Sequence, residues 1–67
     1  MQVFVMSLAD QIENIRHALT ARELAQLLQV NPDTIWKMAK QSRIPSFRVG
    51  SAVRFDPKSV ADWLRRI

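Results

Sequence analysis

Residues 19–41 of the chain read LTARELAQLLQVNPDTIWKMAKQ, and their capping and apolar residues indicate a pair of helices. Thr20 and Glu23 stand three positions apart at the head of an apolar run, which is the spacing of a capping box at a helix start. Asn31 precedes Pro32, and a capping side chain followed by proline predicts the start of a second helix. The apolar residues of both segments recur at helical spacing. The stretch therefore predicts helices over 21–29 and 32–41.

The link between these two predicted helices is short. Because only about three residues join them, the helices are expected to meet at a corner, as in a helix-turn-helix. Ala25 is small at the position where the second helix must approach the first, and Ile35 is placed to pack on Leu24. The corner position, which is glycine in many such motifs, is Gln29 here.

Further helices are predicted near both ends of the chain. Ser7 offers a capping hydroxyl to the first, and Asp56 with Pro57 begins the last. The apolar stripe of the first comprises Leu8, Ile12, Ile15 and Leu19. The apolar stripe of the last comprises Val60, Trp63, Leu64 and Ile67. The first stripe is expected either to cap the core of its own molecule or to pair with another copy, with residues 3–5 (VFV) as an added edge strand.

Residues 45–55 read PSFRVGSAVRF and change to a period of two on either side of Gly50. This pattern predicts two short antiparallel strands with a turn at Gly50 and Ser51. Because an isolated hairpin is marginal in water, its apolar face is expected to pack on the helices. The side chains predicted on that face are Phe47, Val49, Val53 and Phe55. Arg48 and Arg54 would then point together away from the helices.

The composition allows one domain and argues against catalysis. The chain has 67 residues and no cysteine, which excludes disulfides and thiolate metal sites. Its one histidine, His17, has no companion at ligand spacing, and there is no carboxylate pair or phosphate loop. We therefore expect no enzyme activity, no cofactor and no metal. No apolar run approaches the ~20 residues of a transmembrane helix, so a cytoplasmic protein without membrane contact is expected.

The positive charge is concentrated in one part of the chain. The formal net charge is +4, and between Asp33 and Asp56 there are five basic residues and no acidic one. These basic residues are Lys37, Lys40, Arg43, Arg48 and Arg54. Since like charges repel, the pattern favours a polyanionic partner, and we expect the five to form one convex surface that faces it. The alternatives are a solvated basic face and a module that binds an acidic protein.

The order of helix-turn-helix, arginine-bearing hairpin and capped helix resembles the excisionase-like DNA-binding domains. These are small winged helix-turn-helix proteins of the MerR-like superfamily. The resemblance covers residues 19–66 and is carried by the runs LTARELAQLL, VNPDTIWK, RIPSFRVG, VRFDPKSV and WL. It implies a mainly α fold with a small β-hairpin and an extra N-terminal helix, divided into an extension over 1–18 and a winged domain over 19–67. Ser42 departs from a common glycine, and Ser51-Ala52 departs from an arginine-rich wing tip.

The resemblance implies that the second helix of the motif enters the major groove and that the hairpin contacts a neighbouring groove or the backbone. Thr34 and Trp36 are uncharged candidates for base edges or a thymine methyl, although packing of Trp36 in the core stays open. Arg43 is either a phosphate contact or a solvated helix end. The amides at the helix start also suit phosphate. The full set of expected DNA-binding residues is Asn31, Asp33, Thr34, Trp36, Lys37, Lys40, Arg43, Arg48, Ser51 and Arg54.

The function implied by this resemblance is sequence-specific binding of double-stranded DNA. One role is that of an excisionase-like recombination directionality factor of a phage or mobile element, which binds and bends attachment-site DNA and has an integrase as a further partner. The other role is that of a small transcriptional regulator. In either role the protein would act in the bacterial or phage-infected cytoplasm at the nucleoid, and self-association through residues 1–19 remains an alternative to monomeric packing.

Overall fold

The computed structural model describes residues 7–67, so the expected strand over residues 3–5 lies outside the described residues. The elements in chain order are α1 (Leu8–Glu13), α2 (Ala21–Leu28), α3 (Pro32–Lys40), β1 (Phe47–Val49), β2 (Ala52–Arg54) and α4 (Pro57–Arg66). The predicted fold class, mainly helical with a two-stranded antiparallel hairpin, is confirmed, and the order of elements fits a winged helix-turn-helix.

The predicted helix starts are confirmed in their hydrogen bonds. The capping side chains are Ser7, Thr20, Asn31 and Asp56. At the start of α2 the hydroxyl of Thr20 accepts from the backbone N–H of Glu23, and the Glu23 carboxylate accepts from the backbone N–H of Thr20, both at 3.0 Å. At the start of α3 the Asn31 side chain accepts from the backbone N–H of Asp33 at 2.8 Å. Local sequence chemistry thus fixes where these helices begin.

The ends of α2 and α3 both use a left-handed residue that is not glycine. Gln29 has φ 58° at the corner between the two helices, and the following amide, of Val30, donates to the Ala25 carbonyl at 2.9 Å. Ser42 has φ 58° after α3, and the Arg43 amide donates to the Met38 carbonyl at 2.8 Å. These bonds satisfy carbonyls that the helix end leaves free, at the cost of a strained backbone.

The core gathers side chains from the four helices, from the connecting segments and from the residue that follows β2. Its buried members are Ile12, Leu19, Ala21, Leu24, Ala25, Ile35, Ile44, Phe55 and Val60. Ala25 has no exposed surface where α2 and α3 cross, as the sequence predicts for a close approach. Helix α1 packs against α4, with Ile12 fully buried. The division of the chain at residue 18 stays a prediction.

The predicted N-terminal helix is wrong in length. α1 ends at Glu13 instead of continuing to Leu19. Leu19 instead pairs with Phe55 as an isolated antiparallel bridge, with N–H to carbonyl distances of 2.9 and 2.8 Å. A backbone that donates to a neighbouring strand cannot complete a helical turn, so the stripe is interrupted. At the other end of the chain, Ile67 lies beyond α4 and is 78% exposed, so its expected burial is also wrong.

The predicted hairpin exists, but its two faces differ from the prediction. The turn at Gly50 and Ser51 pairs Phe47 with Arg54 and Arg48 with Val53. Cross-strand partners point to the same face of a sheet, so Arg48 shares a face with Val53, and Arg54 shares the other face with Phe47. The two arginines therefore lie on opposite faces, because a two-residue turn offsets the alternation of one strand against the other.

The apolar face predicted for the hairpin is correspondingly wrong in part. Phe55 is fully buried and Val53 packs against the core. Phe47 and Val49, which were expected to pack on the helices, are 40% and 64% exposed. The register turns their side chains to the face that Arg54 occupies.

An ionic contact joins the first and last helices. The guanidinium of Arg65 on α4 lies 2.6 Å from a carboxylate oxygen of Asp10 and 2.5 Å from one of Glu13, both on α1. The hydrogen bond from Arg65, and a second one from Ser7, hold the pKa of the Asp10 carboxyl below its usual value. The sequence predicts only a favourable position for Arg65 near the C-terminal end of a helix, since its partners are more than fifty residues away.

Replacement of Ser42 by glycine should stabilise the fold. Glycine adopts φ 58° without the strain that a Cβ causes, which corresponds to about 1 kcal/mol and a rise in Tm of roughly 4–8 °C. Ser46→Gly is the matched control, because its backbone does not have positive φ and the substitution only adds freedom to the unfolded chain. Thermal unfolding by circular dichroism measures both, and equal losses of Tm in the two variants would contradict the strain argument.

Loss of the Arg65 contact should destabilise the protein in a pH-dependent way. Arg65→Ala is expected to lower Tm by roughly 1–5 °C at neutral pH. The folded-state pKa of Asp10 is lowered, so the stabilisation is present at neutral pH and is lost as pH falls through that lowered pKa. The Tm difference from the unmodified protein should therefore shrink in acid. Arg16→Ala, at an exposed arginine outside these ion pairs, is the control, and a Tm difference independent of pH would exclude the ionic explanation.

Candidate nucleic-acid interface

A groove of about 520 Å³ runs between α3 and the hairpin. Its lining, which we call the α3–wing groove, comprises Asp33, Trp36, Lys37, Ala39, Lys40, Ser46, Arg48 and Val53. Asp33, Trp36, Lys37 and Lys40 stand three and four positions apart and thus form one helix face. The hairpin contributes Arg48 and Val53 because the register places both on the face toward α3.

Three cations of the α3–wing groove are solvent-exposed: Lys37, Lys40 and Arg48. The ion pairs found within residues 7–67 all belong to Arg65, so these three have no carboxylate partner there. Asp33 lines the same groove and also has no ion pair in that part of the chain, although Lys37 lies one turn further along α3. The groove is thus a positively charged surface whose charges are available to an external anion.

The expected single cationic surface is only partly formed. Arg43 lines a neighbouring depression of about 400 Å³ together with Arg66, and this depression shares Ser46 with the α3–wing groove. Arg54 lies on the other face of the hairpin, where its guanidinium donates to the Val53 carbonyl at 2.8 Å. The expectation that all five cations share one face is wrong for Arg54, because the hairpin register separates it from Arg48.

The electrostatic surroundings of Arg54 include the start of α2. The hydrogen bonds of the capping box with Thr20 are the main cause that lowers the pKa of the Glu23 carboxyl, and the positive charge of Arg54 is one of the smaller causes. Arg54 is half-buried, whereas Arg48 is exposed. The two wing arginines therefore have different electrostatic surroundings, and any role of Arg54 in DNA contact remains a prediction.

The other expected contact residues surround the α3–wing groove without lining it. Asn31 and Thr34 are exposed at the N-terminal end of α3, with the Asn31 side chain engaged as the helix cap. Thr34 is a neighbour of Lys37 on the helix surface but stands beyond the groove lining. Ser51 is exposed at the hairpin turn, next to Gly50 with φ 62°. No described residue of this set is buried.

Sequence reasoning missed part of the groove wall. Ala39, Ser46 and Val53 line the α3–wing groove, and Arg66 stands beside Arg43 in the neighbouring depression. The sequence pattern predicts Val53 on the packed face of the hairpin, and only the pairing of strands shows that this face also carries Arg48. For Arg66 the sequence offers no signal, because the contact depends on how the C-terminal end of α4 lies against the segment after α3.

Two helices meeting at a three-residue turn, a wing beside the second helix and a cationic groove between them define a DNA-binding helix-turn-helix domain. The family model of the helix-turn-helix domain matches residues 18–67, and the chain belongs to that family. The family match supports DNA as the partner. Comparison with curated proteins and with solved structures gives no match. Within residues 7–67 no helix is long and apolar enough to cross a membrane.

Removal of a groove cation should weaken DNA binding and reduce its dependence on salt. If about four phosphates are neutralised, affinity for a mixed-sequence duplex of about 20–30 bp should fall roughly a hundredfold between 50 and 200 mM salt. Lys37→Ala, Lys40→Ala and Arg48→Ala should each lower the slope of log K against log salt by about 0.9. Fluorescence anisotropy with a labelled duplex measures these slopes.

The matched control for this prediction is Lys58→Ala. Lys58 lies at the start of α4 and lines a different depression, together with Glu13 and Arg16. Its removal changes the net charge by the same amount as removal of Lys37, so the unmodified slope is expected. Equal slopes for Lys37→Ala and Lys58→Ala would show that net charge, and not the groove, determines affinity.

Proposed function

We propose that the protein binds double-stranded DNA sequence-specifically, with α3 in the major groove and the hairpin on the adjacent backbone. The observation that carries this proposal is the α3–wing groove, which is lined by exposed Trp36 and by three cations that have no ion pair within residues 7–67. An α-helix fits the width of the B-DNA major groove. With α3 in that groove, one sugar–phosphate strand would lie between α3 and the wing, within reach of Lys37, Lys40 and Arg48.

The basic side chains and the other side chains at this surface would have different roles in binding. The cations bind phosphates, which fixes the position of α3 on the duplex but carries no sequence information. Bases are read by the uncharged and acidic side chains of the same helix, at Asp33, Thr34 and Trp36. The hairpin turn, Gly50 with Ser51, carries no charge, so the proposal assigns backbone contact to Arg48 and Arg54 on its two faces. No catalytic step is assigned to the protein.

Within DNA binding, we propose the role of an excisionase-like recombination directionality factor. The resemblance of residues 19–66 to that family supports it, and so does the small size of the interface. A single module buries little surface and binds weakly, so several copies on neighbouring sites are expected, and such an array favours bent DNA. A transcriptional regulator would use the same face, and the test below distinguishes the two.

The test begins with selection of binding sites from a pool of random-sequence duplexes at 50 mM salt. The proposal predicts enrichment of one short motif, stepwise retardation of fragments that carry adjacent copies, and a mobility that depends on the position of the site within the fragment, as bending requires. A single complex that leaves the DNA straight would favour the regulator. No retardation of any duplex at this salt concentration would refute DNA binding and favour an acidic protein as the partner.

A further inference from the structure

Trp36 is a large apolar side chain on an exposed, cationic surface. It is 47% exposed and is absent from the hydrophobic core and from the residues packed against it. It lies on the α3 face that also carries Lys37 and Lys40, and the apolar side chains of Ala39 and Val53 line the same groove. The residue is therefore not part of the core, and its exposed surface is available to whatever fills the groove.

The charges beside Trp36 restrict what that occupant provides. A phosphate can accept a hydrogen bond from the indole N–H, but it offers nothing to the apolar part of the ring, and the neighbouring cations suit it better. The ring gains from an apolar group that removes it from water. In the major groove of B-DNA, the base pairs present hydrogen-bond donors and acceptors and a single kind of apolar group, the C5-methyl of thymine. The C5-methyl of thymine is therefore the group in the major groove that matches the apolar ring of Trp36.

Thr34 is the other side chain of α3 that could contact a methyl group of a base, and its position is less suitable. Its side chain does not line the α3–wing groove, while the ring of Trp36 does. Trp36 also follows the start of α3 by a full turn, which places it in the middle of the helix segment that would lie deepest in the major groove. Its indole N–H has no hydrogen-bond partner among residues 7–67 and can donate to a base-edge acceptor.

We propose that Trp36 determines sequence specificity by contacting the C5-methyl group of thymine. This inference rests on the proposed binding of α3 in the major groove and names the base feature that the helix reads. The cations then supply affinity that is independent of sequence, and Trp36 supplies a preference for thymine at one or two positions of the site. Loss of the ring removes that preference without changing the number of phosphates bound.

The experiment compares thymine with uracil, which differ only in the C5-methyl group. In the duplex selected above, each thymine is replaced singly by deoxyuridine, and affinity is measured by anisotropy for the unmodified protein, Trp36→Ala and Trp36→Phe. For the unmodified protein, uracil should lower affinity about fourfold at one or two positions, which corresponds to about 0.8 kcal/mol for one buried carbon. For Trp36→Ala the same replacements should change nothing, and Trp36→Phe should keep part of the preference.

Two controls separate this inference from the proposed function. Lys58→Ala should keep the full thymine preference, and Trp36→Ala should keep the salt slope of the unmodified protein, with folding verified by its thermal unfolding. Binding of the selected duplex with no uracil effect at any position would overturn the reading of thymine and leave DNA binding intact. An unchanged uracil effect in Trp36→Ala would assign the methyl contact to another side chain and would also overturn it. Failure to bind any duplex would refute the proposed function itself.

Discussion

The backbone pairing of Leu19 with Phe55 is the interaction on which the arrangement of the site depends. Its two hydrogen bonds join the residue before the cap of α2 to the residue after β2, and both side chains are buried in the core. One end of the hairpin is thereby held beside the start of the helix pair. Because β1 pairs only with β2 in the described chain, this anchor also determines where Arg48 stands relative to α3. Without it, a hairpin of three-residue strands would have little to hold it in place.

The register of the hairpin then decides which charges act together. With a two-residue turn, an even-numbered residue of one strand pairs with an odd-numbered residue of the other. The even-numbered side chains of β1 therefore share a face with the odd-numbered side chains of β2. Arg48 therefore lines the groove with the lysines of α3, while Arg54 lies on the other face of the hairpin. The exposed pair Phe47 and Val49 follows from the same offset. Charge density along the sequence indicates a polyanion but cannot show this division, because the division depends on how two strands pair.

The features predictable from the sequence are those whose partners lie within a few residues. Helix starts at Thr20 and Asn31 depend on side chains two or three positions from the amides they bind, and both agree with the structure. Helical spacing places Lys37 and Lys40 on one face of α3, but the part that Ala39 takes in the groove wall does not follow from it. The length of α1, the faces of the hairpin and the contacts of Arg65 depend on residues far along the chain, and the sequence pattern gives no distance information for them. The predicted continuation of the first helix to Leu19 is wrong for this reason, because Leu19 pairs with Phe55 as an isolated β-bridge.

The α3–wing groove contains an acidic residue and a tryptophan as well as cations. A groove lined only by Lys37, Lys40 and Arg48 would bind any duplex, since phosphates are present in every sequence. Asp33 lies among these cations without an ion pair in the described residues, and its carboxylate opposes phosphate binding. Asp33 lies in the first turn of α3, where its negative charge interacts favourably with the helix dipole. The acid therefore has a role in stabilising the helix. Trp36 lies outside the hydrophobic core with 47% of its surface exposed, so it is the group in this groove whose presence most requires a partner other than phosphate.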